Sequence, residues 1–371
     1  MSLLEPTIAI VPPRLPPELI DEILRENELS NSDLAQCCLV SRQFLPSAQR
    51  SLYTKVEVSL RCVYDVYHVY LPVKRYYLRS TKKLWRTLKE NPLLVPLCYG
   101  FLICEILDSY EGGDRVDYEK EVGSRSQVAR DWLGLLKGVR NLATTISGNV
   151  FIGRQYCNIL HLKLDSTVAS FPAGLETSGV KRLKLSQDPY GTAIKDFAIP
   201  STVVTFDYSS LQGWSLLPAA NPALRNLSIN IDRANTINLS TFPNLDYLSI
   251  SGHGTSRIDP KGLSDLTRLR RIRLDFQVYT YSVSLGSSNS LKAFIPNLPS
   301  SVYRLDFPRS IPFRALTPVL NGSDVSITQL GFSKIIDGAE RFRLDPLKES
   351  CRRIGIEVFN LEKEDPIFGE F

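Results

Sequence analysis

The feature that most constrains this chain is a short phrase, apolar-x-x-apolar-x-apolar, that returns along most of its length. Its clearest copies are Ile159/Leu162/Leu164, Val180/Leu183/Leu185, Val203/Phe206/Tyr208, Leu224/Leu227/Ile229, Leu245/Leu248/Ile250, Leu269/Ile272/Leu274, Val302/Leu305/Phe307 and Ile327/Leu330/Phe332. A last copy is read at Ile354/Ile356/Val358, and earlier ones at Cys98/Phe101/Ile103 and Val139/Leu142. The middle residues fall at 142, 162, 183, 206, 227, 248, 272, 305, 330 and 354, at intervals of 20, 21, 23, 21, 21, 24, 33, 25 and 24. Each phrase puts alternate side chains on one face of a short strand. One such unit cannot bury that face alone, so stacked units share a continuous core and a parallel sheet. A sandwich or barrel would bring its strands every 8–12 residues or so, about half the interval found here.

Intervals of this size resemble those of leucine-rich repeats, which run to roughly 20–29 residues per unit. Prolines punctuate the phrases: Pro172, Pro200, Pro218, Pro222, Pro243, Pro260, Pro296, Pro299, Pro312 and Pro318. Proline lacks the N–H that a helix interior needs, so many connections are expected to be extended or 3₁₀ rather than full α-helices. The one long interval contains the Ser-rich stretch Tyr279–Ser290. Members of that repeat family usually carry asparagine three residues beyond the second strand leucine. Here those positions hold Thr167, Asp188, Leu211, Asp232, His253, Gln277 and Ser310, so an irregular solenoid is expected.

The amino-terminal stretch reads differently. Pro16 and Pro17 suit a first helical turn, where N–H groups lack intrahelical partners, and Glu18, Asp21 and Glu22 follow near the positive end of the helix dipole. Leu19/Ile23 and Ile20/Leu24 are i,i+4 pairs on a broad apolar face. Ser30 and Asp33 form a start signal for a second helix through Leu34–Val40, and Pro46 marks a third start leading to Ala48, Leu52 and Tyr53. Farther on, a strand is expected at Val56, Val58 and Leu60, beside a tyrosine cluster with Val63, Val66 and Val69. Helices are expected over Ser80–Leu88 and Ser126–Lys137, on either side of a charged loop at 111–125.

The run Leu15-Pro16-Pro17-Glu18-Leu19-Ile20-Asp21-Glu22-Ile23-Leu24 resembles the opening of an F-box. Asp33-Leu34 and Cys38-Leu39-Val40-Ser41-Arg42-Gln43-Phe44 resemble its second half, with Phe44 where many members have tryptophan. The resemblance covers about a tenth of the chain. It implies docking onto the Skp-type adaptor of a cullin–RING (SCF-type) ubiquitin ligase, with Leu15, Pro16, Pro17, Glu18, Leu19, Ile20, Ile23, Leu24, Leu34, Cys38, Leu39, Val40, Arg42 and Phe44 as the adaptor-binding residues. The layout also resembles that of fungal F-box proteins. The expected fold is therefore α/β: an F-box helical module over 12–54, then an irregular leucine-rich-repeat-like solenoid with a parallel sheet over 55–371. Within it, 55–140 form atypical first repeats with helices and 141–359 more regular ones. The alternative is a repeat scaffold whose helical end simply caps the first repeat and binds no ligase adaptor.

Chemistry is sparse. The histidines His68, His161 and His253 are not at metal-ligand spacing, and the seven cysteines contain no C-x-x-C pair. No phosphate-binding glycine motif or nucleophile elbow occurs. Cys157 and Cys351 are not expected to be catalytic, since the repeat phrases continue to Val358 and only a short tail follows Phe359. No enzyme, metal or cofactor is expected. The odd cysteine number and their apolar surroundings point to a reducing, cytoplasmic or nuclear compartment. The longest apolar run, Leu93–Leu107, is interrupted by Pro96, Gly100 and Glu105 and is shorter than the ~20 residues of a membrane span. A net charge of +5, spread along the chain, makes no case for nucleic acid.

Function is then expected on the strand residues that alternate with the core. On the concave side these are His161, Lys163, Arg182, Lys184, Asp207, Tyr247, Arg271, Arg273, Arg304 and Asp306. The basic pairs Arg182/Lys184 and Arg271/Arg273 suit an acidic or phosphorylated protein partner, since guanidinium forks match such groups. The plain reading is that strand residues facing water are polar anyway.

Overall fold

The structure is a computed structural model that describes residues 15–26, 29–63, 74–77, 79–108, 121–122, 125–136, 138–144, 159–166, 179–187, 199–209, 221–230, 239–252, 260–276, 294–308, 326–332, 348–349 and 351–361. The chain divides into two compact units, one mainly Met1–Leu102 with Trp132–Val139, the other mainly Arg140–Phe371.

The first unit opens with three helices: α1 (Pro17–Glu26), α2 (Asn31–Val40) and α3 (Leu45–Thr54). Helix α1 starts at the second proline of the pair, and α2 starts on a capping box. Asp33 N–H donates to Ser30 Oγ at 3.2 Å while Ser30 N–H donates to Asp33 Oδ2 at 3.0 Å, which satisfies two backbone donors at that end. Ile20, Leu24, Leu34 and Ala48 form the core of the three helices, with Leu29, Cys37, Cys38, Phe44 and Leu52 packed against it. An Arg50–Asp21 ion pair at 2.8 Å joins α3 to α1 at the surface.

Beyond α3 lie β1 (Lys55–Val63), paired antiparallel with β2 (Lys74–Tyr77), then α4 (Arg79–Glu90) and a 3₁₀ turn over Pro92–Leu97. Val56, Val58 and Leu60 are buried at alternate positions of β1, as a half-covered strand requires. Thr81 Oγ1 on α4 bonds both the N–H and the carbonyl of Ser59, each at 3.3 Å. The strand β3 (Gly100–Asp108), the short β4 (Glu121–Val122) and α5 (Arg125–Leu135) follow. Trp132 is fully buried, edge-on to Trp85 (centroids 4.8 Å apart) and stacked with Phe101 (5.9 Å). The expected tyrosine cluster and the charged loop fall mostly outside the described residues.

The second unit is a parallel α/β solenoid. Among the described residues its sheet contains β5 (Asn141–Thr144), β6 (His161–Ser166), β7 (Arg182–Gln187), β8 (Thr205–Ser209), β9 (Asn226–Asn230), β10 (Tyr247–Gly252), β11 (Arg271–Phe276), β12 (Arg304–Phe307), β13 (Gln329–Phe332) and β14 (Glu357–Asn360). They lie in chain order, each parallel to the next. The anchors of the sequence phrase are in register: Leu142, Leu162, Leu183, Phe206, Leu227, Leu248, Ile272, Leu305 and Leu330 form one row, none more than 2% exposed.

The turn that feeds each strand is also repeated. Val203, Leu224, Leu245, Leu269 and Val302 each donate their N–H to the carbonyl three residues earlier. The next two N–H groups then converge on one carbonyl of the preceding coil: Val204 and Thr205 on Lys181, Arg225 and Asn226 on Val204, Asp246 and Tyr247 on Arg225. A buried asparagine reinforces this ladder. Asn221 Nδ2 donates to Pro200 O at 2.9 Å and Val203 O at 3.4 Å, and Asn221 Oδ1 accepts from Ala223 N–H at 3.0 Å and Leu224 N–H at 3.2 Å. One coil later Asn244 Nδ2 reaches Pro222 O at 2.9 Å. The positions where the repeat family carries its usual asparagine, from Thr167 to Ser310, all lie outside the described residues.

The last copy of the phrase is displaced from its expected place. Leu330 pairs with Val358, not with Ile354, which is 49% exposed. A helical turn ends at Arg353, Gly355 takes a left-handed φ of 78°, and Ile356 N–H returns to the Cys351 carbonyl at 2.8 Å. The strand begins only after this reversal. The connections that are described fit the expectation from proline: 3₁₀ turns at Leu239–Thr241 and Ile295–Asn297, and a single helical turn, α6 (Pro260–Ser264). The Ser-rich stretch Tyr279–Ser290 lies outside the described residues.

Candidate functional site

Two surfaces carry the residues singled out in the sequence, one on each unit. On the three-helix module the two i,i+4 pairs of α1 have separate fates. Ile20 and Leu24 are buried, whereas Leu19 and Ile23 are 45% and 43% exposed. Leu34 also belongs to the core, and Cys38 and Phe44 are half-buried against it. Pro16, Pro17, Glu18 and Arg42 are exposed.

Leu39 and Val40, on the last turn of α2, are 80% and 76% exposed, and Leu15 is 43% exposed. Gln43 Nε2 donates to the Leu15 carbonyl at 2.6 Å, so the start of α1 is tied to the turn that follows Val40. A module that already has a closed core leaves five large apolar side chains facing water. Covering them would contribute roughly 4–8 kcal/mol of gross burial, taking about 1.5–3 kcal/mol for a whole side chain and scaling by exposure.

On the solenoid, one face of the sheet carries the buried anchors and the other carries two rows of polar side chains. The first row runs His161, Arg182, Thr205, Asn226, Tyr247, Arg271, Arg304, Gln329 and Glu357; the second runs Lys163, Lys184, Asp207, Ser228, Ser249, Arg273, Asp306 and Gly331. Every target-binding candidate read from the sequence falls on these two rows. The basic ones form two groups: Lys163, Arg182 and Lys184 on β6–β7, and Arg271, Arg273 and Arg304 on β11–β12. Lys184 pairs with Asp207 at 3.1 Å.

The second group is organised by Asp306, whose side chain is fully buried. Arg271 Nε donates to Asp306 Oδ2 and Arg304 Nε to Asp306 Oδ1, the latter at 2.9 Å. The Arg271 guanidinium also lies over the Tyr247 ring, 5.3 Å from its centroid. Burial pushes the Tyr247 hydroxyl up, and the charges of Arg273 and Arg271 pull it part of the way back. Burial likewise holds His161 below its ordinary value, with Arg182 adding to the effect. Gly331 completes the group: a Cβ there would run into the Asp306 carboxylate and come within 2.6 Å of Leu361 Cδ2. Neither Gly331 nor the buried state of Asp306 was signalled by the sequence pattern, which marks a strand position as outward-facing and says nothing about who stands beside it.

Among the described residues no group of three or more His, Cys, Asp or Glu is placed to hold a metal ion, and no helix is long and apolar enough to cross a membrane. Cys37, Cys38, Cys98 and Cys351 are free thiols, and burial raises Cys98 to about 11. His68, Cys157 and His253 lie outside the described residues. In comparisons with known proteins, no family model and no curated protein matches the chain.

Proposed function

We propose that this protein is a non-catalytic substrate receptor of an SCF-type ubiquitin ligase. The helical module is an F-box that docks the Skp-type adaptor, and the solenoid holds a protein target for ubiquitin transfer by other subunits. The observation that carries the reading is the division of labour on α1 and α2: Ile20, Leu24 and Leu34 close the core, while Leu15, Leu19, Ile23, Leu39 and Val40 stay exposed within the motif that resembles an F-box. Exposed apolar side chains beside a closed helical core are what a docking site needs. The polar rows of the solenoid supply a separate surface for a second protein. On this reading the protein works in the cytoplasm or nucleus and needs no cofactor.

The test is co-expression of the full chain with the Skp-type adaptor, followed by affinity capture. Leu19→Glu with Ile23→Glu places two charges where apolar contact is required but leaves Ile20 and Leu24 in the core. The double variant is expected to lose capture by at least about 30-fold, corresponding to about 2 kcal/mol or more of lost burial. Wild-type chain that is folded and yet not captured would leave a repeat scaffold with a helical cap.

A further inference from the structure

We propose that the polar face of the solenoid sheet binds an extended, carboxylate-rich polypeptide segment, gripped at two basic points four strands apart. The charges of the two rows are not evenly distributed. Arg182, Lys184 and Lys163 lie on β6–β7, and Arg271, Arg273 and Arg304 lie on β11–β12. Between them β8 to β10 hold Thr205, Tyr247 and Ser249, which are buried, and the part-exposed Asn226 and Ser228, with Asp207 as the one charge of the two rows, already paired to Lys184. From β6 to β12 the two rows hold six Lys and Arg against Asp207 and Asp306, and Asp165 and Asp275 stand beyond them on β6 and β11.

Those positions make specific demands on a ligand. Strands β7 and β11 are four spacings apart in the sheet, which is about 19 Å at ~4.8 Å per spacing. A chain lying across the strands covers that span in about six extended residues. The partner therefore carries two anionic clusters about six residues apart, joined by a neutral stretch that passes over the uncharged middle of the rows, where Asn226 and Ser228 are part-exposed. The β11–β12 end is preorganised. Asp306 fixes Arg271 and Arg304 through their Nε atoms, and Tyr247 supports the Arg271 plane from below. Guanidiniums held this way lose little side-chain freedom when they meet a carboxylate.

The inference deepens the receptor reading by naming the chemistry of its target, but its test is independent of adaptor capture. Fluorescence anisotropy on the full chain uses a labelled peptide with two Glu-Glu pairs separated by four neutral residues. The comparison peptides have four contiguous glutamates, phosphoserine in place of glutamate, and lysine in place of glutamate. The spaced glutamate peptide is expected to bind best, with affinity that falls as salt rises. Arg182→Glu with Arg273→Glu, two residues outside the Asp306 pairing, is expected to weaken it about tenfold. Reversal of Lys82 and Lys83 on α4 is expected to leave it unchanged. Thermal melts accompany each variant; if the double reversal does not fold, Arg182→Gln with Arg273→Gln replaces it, with a loss of about threefold expected. Absence of binding, equal loss from the α4 reversal, unchanged affinity in the glutamine pair, or binding confined to the phosphoserine peptide would each overturn the proposal. Capture of the adaptor by the same variants is read separately, so either reading can fail alone.

Discussion

Replacing Asp306 by asparagine tests whether the arginine cluster is built around a single buried acceptor. The side chain keeps its shape and loses its charge. Its carbonyl can still accept from one guanidinium, but its NH₂ then faces the other. Breaking a fully buried ion pair from one side costs about 3–5 kcal/mol, because the remaining charge is left without compensation. Asp306 is fully buried, but Arg271 and Arg304 keep 19% and 12% of their side-chain exposure, so water recovers part of that loss. A destabilisation of about 2–4 kcal/mol follows.

A solenoid distributes stability through neighbouring coils, so the loss belongs to β11–β13 and not to the whole sheet. Hydrogen exchange is the assay. Amides of these strands are expected to exchange about 30- to 700-fold faster, at 1.4 kcal/mol per factor of ten, while those of β6–β8 change by less than about 0.5 kcal/mol. Asp306→Leu combined with Arg271→Met and Arg304→Met removes all three charges together and is expected to recover most of the loss. A shift below about 1 kcal/mol in the single variant, or acceleration spread evenly over the sheet, would refute the reasoning.

Two further outcomes follow from hydrogen bonds elsewhere. Asn221→Ala removes a side chain that is 1% exposed and serves two carbonyls and two N–H groups; about 2–3 kcal/mol of stability should be lost from β8–β10, measured by exchange, since several buried polar groups lose partners together. The Asp33 carboxyl lies below its ordinary value of 3.8 because the Ser30 hydroxyl and then the Ser30 backbone N–H bond its charged form. A depressed folded value means the capping box contributes fully above the unfolded value and is lost as pH falls through the folded one, so helicity of α2 should drop below about pH 3.8; Ser30→Ala, which keeps the backbone N–H bond, should reduce that pH dependence in circular dichroism, and Asp33→Asn should abolish it.

How much of this was legible in the sequence differs between the two units for a physical reason. A strand phrase that must be buried on one side repeats itself in every coil, so Leu142 through Leu330 could be read with their register from spacing alone. The reading slipped at Ile354, where only the final copy was available and the apolar spacing fitted two frames. Gly355, which no apolar pattern records, reverses the chain and moves the strand to Val358. Asn221 was missed for a related reason. It does the work of a ladder asparagine from the turn before the strand, while the expectation looked beyond the strand's end. The outward rows were found by alternation alone, but alternation cannot distinguish Arg273 from Asp306, one row-mate half-exposed and the other sealed beneath two arginines.

The helical module shows the limit of periodicity most sharply. Four apolar residues in ten make α1 amphipathic over an arc wide enough to include both i,i+4 pairs. Two neighbouring helices of ten residues each can cover only part of that arc. Ile20 and Leu24 fall beneath α3 and α2, and Leu19 and Ile23, one step round the helix, do not. An arc this wide exceeds what a module that only has to fold requires, since alanine or glutamate at 19 and 23 would leave the same core. It suits a helix with two partners, one supplied by its own chain and one by another. The substitution pairs separate these demands: charge at Leu19 and Ile23 should spare the melting temperature and remove adaptor capture, whereas Ile20→Ala with Leu24→Ala should cost about 4–8 kcal/mol and unfold the module first. Equal loss of stability from both pairs would show that the outer half of the arc is already covered by this chain.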